Sequence, residues 1–159
     1  MKTPRLSELP PEHDIWLEID LTRQILKVWH GWEAREEMPI SSGASGVGQQ
    51  RDSGKTPLGW HYIRAAIGDG QPCGAVFRGR RPSGESYSPA LAEAYPERDW
   101  ILTRILWLCG LEKGFNRGGG VDSQRRYIYL HGTPQAERMG SAVSRGCIHL
   151  RDDALLHLF

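Results

Sequence analysis

The chain has no hydrophobic run long enough to cross a membrane and no N-terminal secretory signal. Its most apolar stretch, residues 100–111, is interrupted by Thr103 and Arg104, whereas a membrane span needs about 18 apolar residues in a row. Residues 1–13 lack the apolar segment and the small-residue cleavage site of a signal peptide. We therefore expect no membrane span and a cytoplasmic location, or a periplasmic or cell-wall location if an export signal has been removed.

Paired cysteines and an excess of one charge are also missing. The three cysteines, Cys73, Cys109 and Cys147, are an odd number without a C-x-x-C pair, so neither a disulfide framework nor a zinc knuckle is favoured. Lysine plus arginine number 20 against 19 aspartate plus glutamate, and this balance gives no support for a nucleic-acid-binding protein. We expect no nucleic-acid partner.

The length and composition of the chain are typical of one domain rich in turns and short strands. At 159 residues the chain is long enough for one hydrophobic core, and 19 glycines with 10 prolines favour sheets and loops over long helices. Alternating or continuous apolar patterns predict strands; they lie at 14–21, 25–29, 36–42, 59–66, 100–109 and 126–132. Long loops are predicted at 41–59 and 68–99, and a short helix after Asp152 and Asp153.

A histidine at the end of a predicted strand and a cysteine 16 residues later form a candidate catalytic pair, His131 and Cys147. An imidazole that takes the thiol proton converts cysteine into a nucleophile. Gly146 would let backbone N–H groups point at a developing oxyanion. The residues alone leave a second interpretation open, because a lone cysteine is most often a buried small hydrophobe and a lone histidine a satisfied core residue. Metal binding by His131, Cys147 and His149 matches no standard zinc pattern.

Several motifs resemble one known family. His131-Gly132, followed by Ser144-Arg145-Gly146-Cys147-Ile148-His149, resembles the signature of the L,D-transpeptidase catalytic domain (YkuD-like) family. Ser41-Ser42-Gly43 and the segment 55–60, Lys-Thr-Pro-Leu-Gly-Trp, are similar to segments that precede its catalytic half. The resemblance covers residues 14–159 and implies a mainly β, single β-sandwich domain with short helices, including one at the C-terminus. Residues 1–13 would be an N-terminal extension.

The resemblance also implies an activity. It is that of a cysteine-dependent L,D-transpeptidase acting on peptidoglycan stem peptides or muropeptides, in which D-alanine leaves and an amine or water resolves the thioester. Water as acceptor gives L,D-carboxypeptidase activity. Cys147 would be the nucleophile, His131 the general base, and Gly132 the residue whose carbonyl orients the imidazole. Ser144, Arg145, Gly146 and His149 would bind substrate or the oxyanion. Carbapenems would react with Cys147, and we expect a monomer that needs no cofactor.

The chain departs from the family signature at three places. Arg145 stands where the family usually has histidine, and His149 where it often has arginine. Arg145 cannot act as a base, but a cation beside the thiol would lower its pKa or pair with a substrate carboxylate, while His149 would contact substrate or face solvent. The chain stops at Phe159, where family members usually continue into a final strand, so we expect an exposed sheet edge.

These departures leave a second function open, a catalytically weakened peptidoglycan-binding module.

One further group of residues bears on substrate binding. Arg78, Arg80 and Arg81, in the predicted loop 68–99, could receive stem-peptide carboxylates, although arginines in loops are usually only solvated.

Overall fold

The first part of the chain forms a three-stranded antiparallel sheet. The computed structural model describes residues 3–159 and places β1 (Ile15–Asp20), β2 (Ile25–His30) and β3 (Glu33–Pro39) side by side in that order. The predicted hairpin of the first two strands is confirmed. The third strand lies earlier than the predicted 36–42, because the backbone of Ser41 pairs instead with His149 of the second sheet, with both N···O distances between them at 2.8–3.0 Å.

The second sheet contains six strands. They are β4 (His61–Ile67), β5 (Ala75–Arg78), β6 (Arg81–Ser86), β7 (Ile101–Gly110), β8 (Tyr129–Gly132) and β9 (Ile148–Leu150). The order is β6-β5-β7-β8-β9, and β4 pairs with another part of β7. Only β8 and β9 run parallel to each other. The long strand β7 therefore has partners on both edges, and its side chains are buried on both faces of the sheet, which explains its nearly continuous apolar sequence.

The prediction of a loop throughout 68–99 is wrong. This stretch contains the β5–β6 hairpin and a short helix, α1 (Pro89–Ala94). Strand β6 has the sequence Arg-Pro-Ser-Gly-Glu-Ser and is largely exposed, so it shows no apolar alternation. It lies at the edge of the sheet, where a proline that cannot donate to a neighbouring strand is tolerated.

The two sheets pack against each other around one apolar core. The predicted β-sandwich with short helices is confirmed, including the C-terminal helix α2 (Asp152–Leu158), whose Leu155 is buried in that core. Other core side chains come from both sheets: Leu26, Val28, Met38, Leu106, Leu108, Leu130, Ile148 and Leu150. Within residues 3–159 no helix is long and apolar enough to cross a membrane.

The second sheet has a different set of side chains on its outer face. Phe77, Ile105 and Tyr129 are buried there, and Trp107 and Cys147 pack against them. A cleft of about 770 Å³ opens between the two sheets, but Cys147 does not line it. The outer face, not that cleft, carries the candidate catalytic residues.

Candidate active site

The parallel pair β8 and β9 brings the predicted residues together. Its register aligns Leu130 with Ile148 and His131 with His149. Because side chains alternate along a strand, the two aliphatic residues enter the core between the sheets, while both histidines project from the opposite face. Cys147 immediately precedes β9 and packs on that same outer face. Residues far apart in the sequence thus become neighbours through one short parallel pairing.

Cys147 is held by the backbone of the segment that leads into β8. Its Sγ accepts a hydrogen bond from the Tyr129 N–H at 3.3 Å, and its thiol donates to the Tyr127 carbonyl at 3.3 Å. The residue is partly exposed, unlike buried Cys109. Burial raises the pKa of the Cys147 thiol to about 12, although the Tyr129 N–H opposes the shift. The thiol is therefore protonated at rest.

His131 is fully buried and is held in one tautomer. Its Nδ1 lies 2.7 Å from the Gly132 carbonyl oxygen. A carbonyl can only accept, so Nδ1 carries the proton and Nε2 keeps its lone pair. That Nε2 is buried without a hydrogen-bond partner within residues 3–159. Burial also lowers the pKa of His131, so the ring is a neutral base with its accepting nitrogen free.

The thiol and His131 share one sheet face but form no hydrogen bond. Within the described chain, the Cys147 thiol contacts the Tyr127 and Tyr129 backbone instead. To donate to His131 Nε2, the thiol proton must leave the Tyr127 carbonyl. Catalytic hydrogen bonds are often long or unformed in an enzyme without substrate and tighten only when substrate is bound.

Gly132 is required by the close packing around its backbone. A Cβ atom at this position would lie 2.2 Å from Asp152 Oδ1 and 2.7 Å from the Leu102 carbonyl oxygen. No real Cβ tolerates such contacts, so no other residue fits without displacing the chain. Glycine here keeps the carbonyl that orients His131 in place.

His149 lies against His131 and not in solvent. The two ring centroids are 4.5 Å apart, and the residue is only 5% exposed. Its Nδ1 is buried without a partner among residues 3–159. Burial first, and the neighbouring His131 second, lower the pKa of His149 to about 3. The alternative that His149 simply faces solvent is therefore wrong. No cluster of three or more potential metal ligands is found in this part of the chain.

The Gly-Cys turn is closed by Ser144. The Ser144 hydroxyl donates to the Cys147 carbonyl at 2.5 Å and accepts from the Gly146 N–H at 3.1 Å. Gly146 has φ +121°, a conformation that other residues rarely adopt. Since its N–H is already bonded, the amide left for an oxyanion is that of Cys147, which has no acceptor within residues 3–159.

The cation whose field reaches the thiol is Arg126 and not Arg145. Arg145 is exposed, whereas the charge of Arg126 favours the Cys147 thiolate. The Arg126 guanidinium donates to the Lys55 carbonyl at 2.6 Å and to the Gly48 carbonyl at 3.2 Å. It therefore fastens the long loop 41–59 beside the cysteine. Sequence analysis missed this residue, because an arginine at the start of a predicted strand carries no signal of such a contact.

Thr56 joins two sequence motifs to the Gly-Cys turn. Its Oγ1 accepts from the Gly43 N–H at 2.8 Å and donates to the Gly146 carbonyl at 2.9 Å, and the residue is fully buried. The Ser-Ser-Gly and Lys-Thr-Pro segments thus position the turn before the cysteine, although Thr56 is 90 residues from Gly146 in the sequence. The Lys-Thr-Pro motif marks this segment in the sequence, but the motif alone did not predict the role of the Thr56 hydroxyl.

Replacing Thr56 by valine is expected to destabilise the protein. The substitution keeps the shape of the side chain but leaves the Gly43 N–H and the Gly146 carbonyl without a partner, at a cost of about 2–4 kcal/mol in the free energy of unfolding. Thr56→Ser keeps the hydroxyl and loses one methyl group, so its cost should stay below about 1.5 kcal/mol. Urea unfolding of both variants measures the difference. Equal losses would show that the hydroxyl has no such role.

Acidification is expected to destabilise the fold through His131 and His149, and also through His61, whose pKa burial lowers as well. Burial lowers the pKa of His131 and His149 from the ordinary 6.5, so below that pH the unfolded chain binds more protons than the folded one. The free energy of unfolding then falls by up to about 1.4 kcal/mol per pH unit for each histidine. Urea unfolding at about pH 7.5 and about pH 5.5 measures the slope. His149→Gln should remove the contribution of one histidine from this slope, and an unchanged slope would contradict the prediction.

The chain is similar to known proteins in sequence and in fold. The family model of the L,D-transpeptidase catalytic domain (YkuD) matches residues 14–159. No curated protein matches the chain at a significant level. Among solved structures, the chain is similar to an L,D-transpeptidase from Xylanimonas cellulosilytica, with 15% identity and a TM-score of 0.58 over 94% of this chain and 55% of that one. At such low identity this likeness shows the fold alone.

Two other solved structures are similar at lower TM-scores. An L,D-transpeptidase from Mycobacterium smegmatis has 20% identity and a TM-score of 0.49, over 91% of this chain and 52% of that one. The LD transpeptidase LdtMt1 in complex with imipenem has 17% identity and a TM-score of 0.46, over 90% and 52%. The chain spans about half the length of these proteins. Because the family model matches nearly all of it, the chain belongs to the L,D-transpeptidase catalytic domain (YkuD) family.

Proposed function

We propose that the protein is a cysteine-dependent L,D-transpeptidase acting on peptidoglycan stem peptides or muropeptides, with residues 14–159 as its catalytic domain. The observation that carries the proposal is the neutral imidazole of His131. Its tautomer is set by the Gly132 carbonyl, and its free Nε2 lies on the same sheet face as Cys147. A base with a defined accepting nitrogen, on the sheet face that carries a partly exposed thiol, supplies the two groups that nucleophilic catalysis by cysteine needs.

The proposed reaction begins from a neutral pair. His131 Nε2 takes the thiol proton as the sulfur attacks the amide carbonyl between the L-centre of a diamino acid and D-alanine. The tetrahedral intermediate collapses to a thioester, its C–N bond breaks, and the imidazolium returns the proton to the leaving amine of D-alanine. An amine of a second stem peptide, a free D-amino acid or water then attacks the thioester, with His131 again accepting a proton. The C–S bond breaks, and the imidazolium returns that proton to the Cys147 sulfur, which regenerates the neutral pair.

The pKa values of the two groups determine when the thiol proton is transferred to His131. Burial raises the thiol pKa to about 12 and lowers that of His131, so a thiolate–imidazolium pair is not the resting state at neutral pH. Proton transfer is coupled to attack on a bound substrate, when the developing charge meets the Cys147 N–H and the field of Arg126. In this proposal Ser144 and Gly146 shape the turn that presents that amide, and Arg145 and His149 contact the substrate or the base.

Two mass measurements test the proposal. The intact protein is incubated with a carbapenem, and a mass increase of one drug molecule is expected, located on the peptide that contains Cys147. A defined stem tetrapeptide, with and without an added D-amino acid, is expected to release D-alanine and to give the exchanged or hydrolysed product. Absence of both the adduct and the released D-alanine would overturn the assignment as an enzyme.

A catalytically weakened peptidoglycan-binding module is the second candidate. It is favoured by one observation: the thiol bonds to backbone groups and not to His131, and its pKa is raised. A module of this kind would bind muropeptides but form no carbapenem adduct and release no D-alanine. The same two measurements, with an equilibrium binding measurement added, separate the candidates.

A further inference from the structure

Arg80 occupies an unusual place at the tip of the β5–β6 hairpin. Arg78 and Arg81 are paired across the hairpin, so Gly79 and Arg80 form its two-residue turn, with φ of +54° and +64°. Two positive φ angles are typical of a type I′ turn, where glycine and asparagine are the favoured residues. A long charged side chain at such a position indicates that something other than turn geometry determines the residue.

The Arg80 side chain is fixed by three aromatic residues. Its guanidinium carbon lies 4.9 Å from the ring centroids of both Trp107 and Tyr127, and one terminal nitrogen donates to the Tyr129 hydroxyl at 3.4 Å. Stacking on aromatic faces holds the planar guanidinium in one orientation. The remaining N–H donors of the group are therefore presented in a defined direction before any ligand binds.

Two of these aromatic residues also contact the thiol through their backbone. The Tyr127 carbonyl and the Tyr129 N–H are the groups that bond to Cys147 Sγ, and Trp107 is paired with Tyr129 across the sheet. Arg80 thus lies against the side chains of the segment whose backbone holds Cys147. A substrate carbonyl at the sulfur would bring neighbouring parts of the same molecule to this guanidinium.

Arg98 is a second arginine of this protein that stacks on aromatic rings, and it binds a carboxylate of the chain. Its guanidinium carbon lies 5.0 Å from the Tyr95 ring and 4.5 Å from the Trp100 ring, and it donates to both oxygens of Glu85 at 3.2 and 2.8 Å. The hydrogen bonds from Arg98 lower the pKa of Glu85 to about 2. Arg80 repeats the aromatic half of this arrangement, but no carboxylate of residues 3–159 forms an ion pair with it.

We propose that Arg80 is a specificity-determining residue that binds a free carboxylate of the stem peptide and orients the peptide at Cys147. The inference rests on the proposed function and names one recognition contact within it. Two parallel N–H donors match a carboxylate, and lysine cannot supply this geometry. A stem peptide carries more than one carboxylate, including the one that leaves with D-alanine, and the test must distinguish them.

Equilibrium binding of stem tetrapeptides to the full chain carrying Cys147→Ala tests the proposal without requiring turnover. The ligands are the free tetrapeptide and versions in which each carboxylate in turn is an amide. Amidation of one carboxylate is expected to weaken binding about 10- to 100-fold. Adding Arg80→Ala should weaken binding of the free tetrapeptide by a similar factor but leave binding of that one amide unchanged, and the sensitive amide identifies the source of the carboxylate.

Arg81→Ala in the same background is the matched control, because it removes the same charge from an exposed neighbour. It should leave binding of every ligand within about two-fold, and Arg80→Lys should restore only part of the affinity. Equal weakening of the acid and all amides by Arg80→Ala would overturn the proposal, and so would unchanged binding or no binding of any tetrapeptide. Failure of the proposed function is recognised separately, since wild-type protein would then release no D-alanine even where Arg80-dependent binding is found.

Discussion

Replacing Cys147 by serine is expected to abolish the carbapenem adduct and to lower D-alanine release by about 10³-fold or more. The hydroxyl fits the same position, where the Tyr129 N–H and the Tyr127 carbonyl hold the sulfur, so the fold should be unchanged. A serine hydroxyl is a far weaker nucleophile than a thiol beside a base of this strength. Intact mass after carbapenem treatment and chromatography of released D-alanine measure the two effects.

The other two cysteines provide matched controls for this substitution. Cys73 is exposed and Cys109 is buried in β7, and neither is among the residues that pack on the outer face with Cys147. Cys73→Ser and Cys109→Ala should keep the adduct on Cys147 and the release of D-alanine. If Cys147→Ser still formed the adduct and Cys73→Ser did not, the exposed thiol would be the reactive group, and the assignment of the nucleophile would be wrong.

Strand positions could be predicted from the sequence wherever one face of the strand is buried. Residues 15–20 and 25–30 alternate, since one face packs on the core, and β7 is nearly continuously apolar, since both of its faces are buried. Strand β6 could not be predicted, because it is exposed and is held by backbone hydrogen bonds that any sequence can make. Strand β8 begins later than the predicted 126–132, since Tyr127 adopts φ +57°, and no sequence pattern indicates that turn.

The site was predictable only as a set of residue types. The His-Gly and Gly-Cys motifs named the residues, and the parallel register of β8 and β9 explains how they meet. The contacts of Thr56 and Arg126 join residues that are 90 and 71 positions apart in the sequence, and no local pattern predicts contacts at such separations.

The exchange of the basic residues around the cysteine also has a structural consequence. His149 packs on His131 in the interior, whereas Arg145 is exposed, so the neighbour of the base is a neutral ring and not a fixed cation.

Replacing His131 by asparagine is expected to slow acylation of Cys147 by about 10²- to 10⁴-fold. The amide can still donate to the Gly132 carbonyl, as His131 Nδ1 does, but it offers no nitrogen that can take the thiol proton. Since burial holds the thiol pKa near 12, little thiolate forms without a base at neutral pH. Residual acylation in the variant should therefore rise about ten-fold per pH unit up to the most alkaline pH that the fold tolerates.

The matched control for this prediction is His149→Asn, which alters the adjoining ring and leaves His131 as the base. Its acylation rate should fall much less, and its pH profile should keep the plateau above the pKa of His131, which burial holds below 6.5. Because both histidines are buried, urea unfolding of each variant shows whether the fold is intact. If His149→Asn abolished acylation while His131→Asn kept the wild-type rate and plateau, the base would be His149, and the free Nε2 of His131 would have no catalytic role.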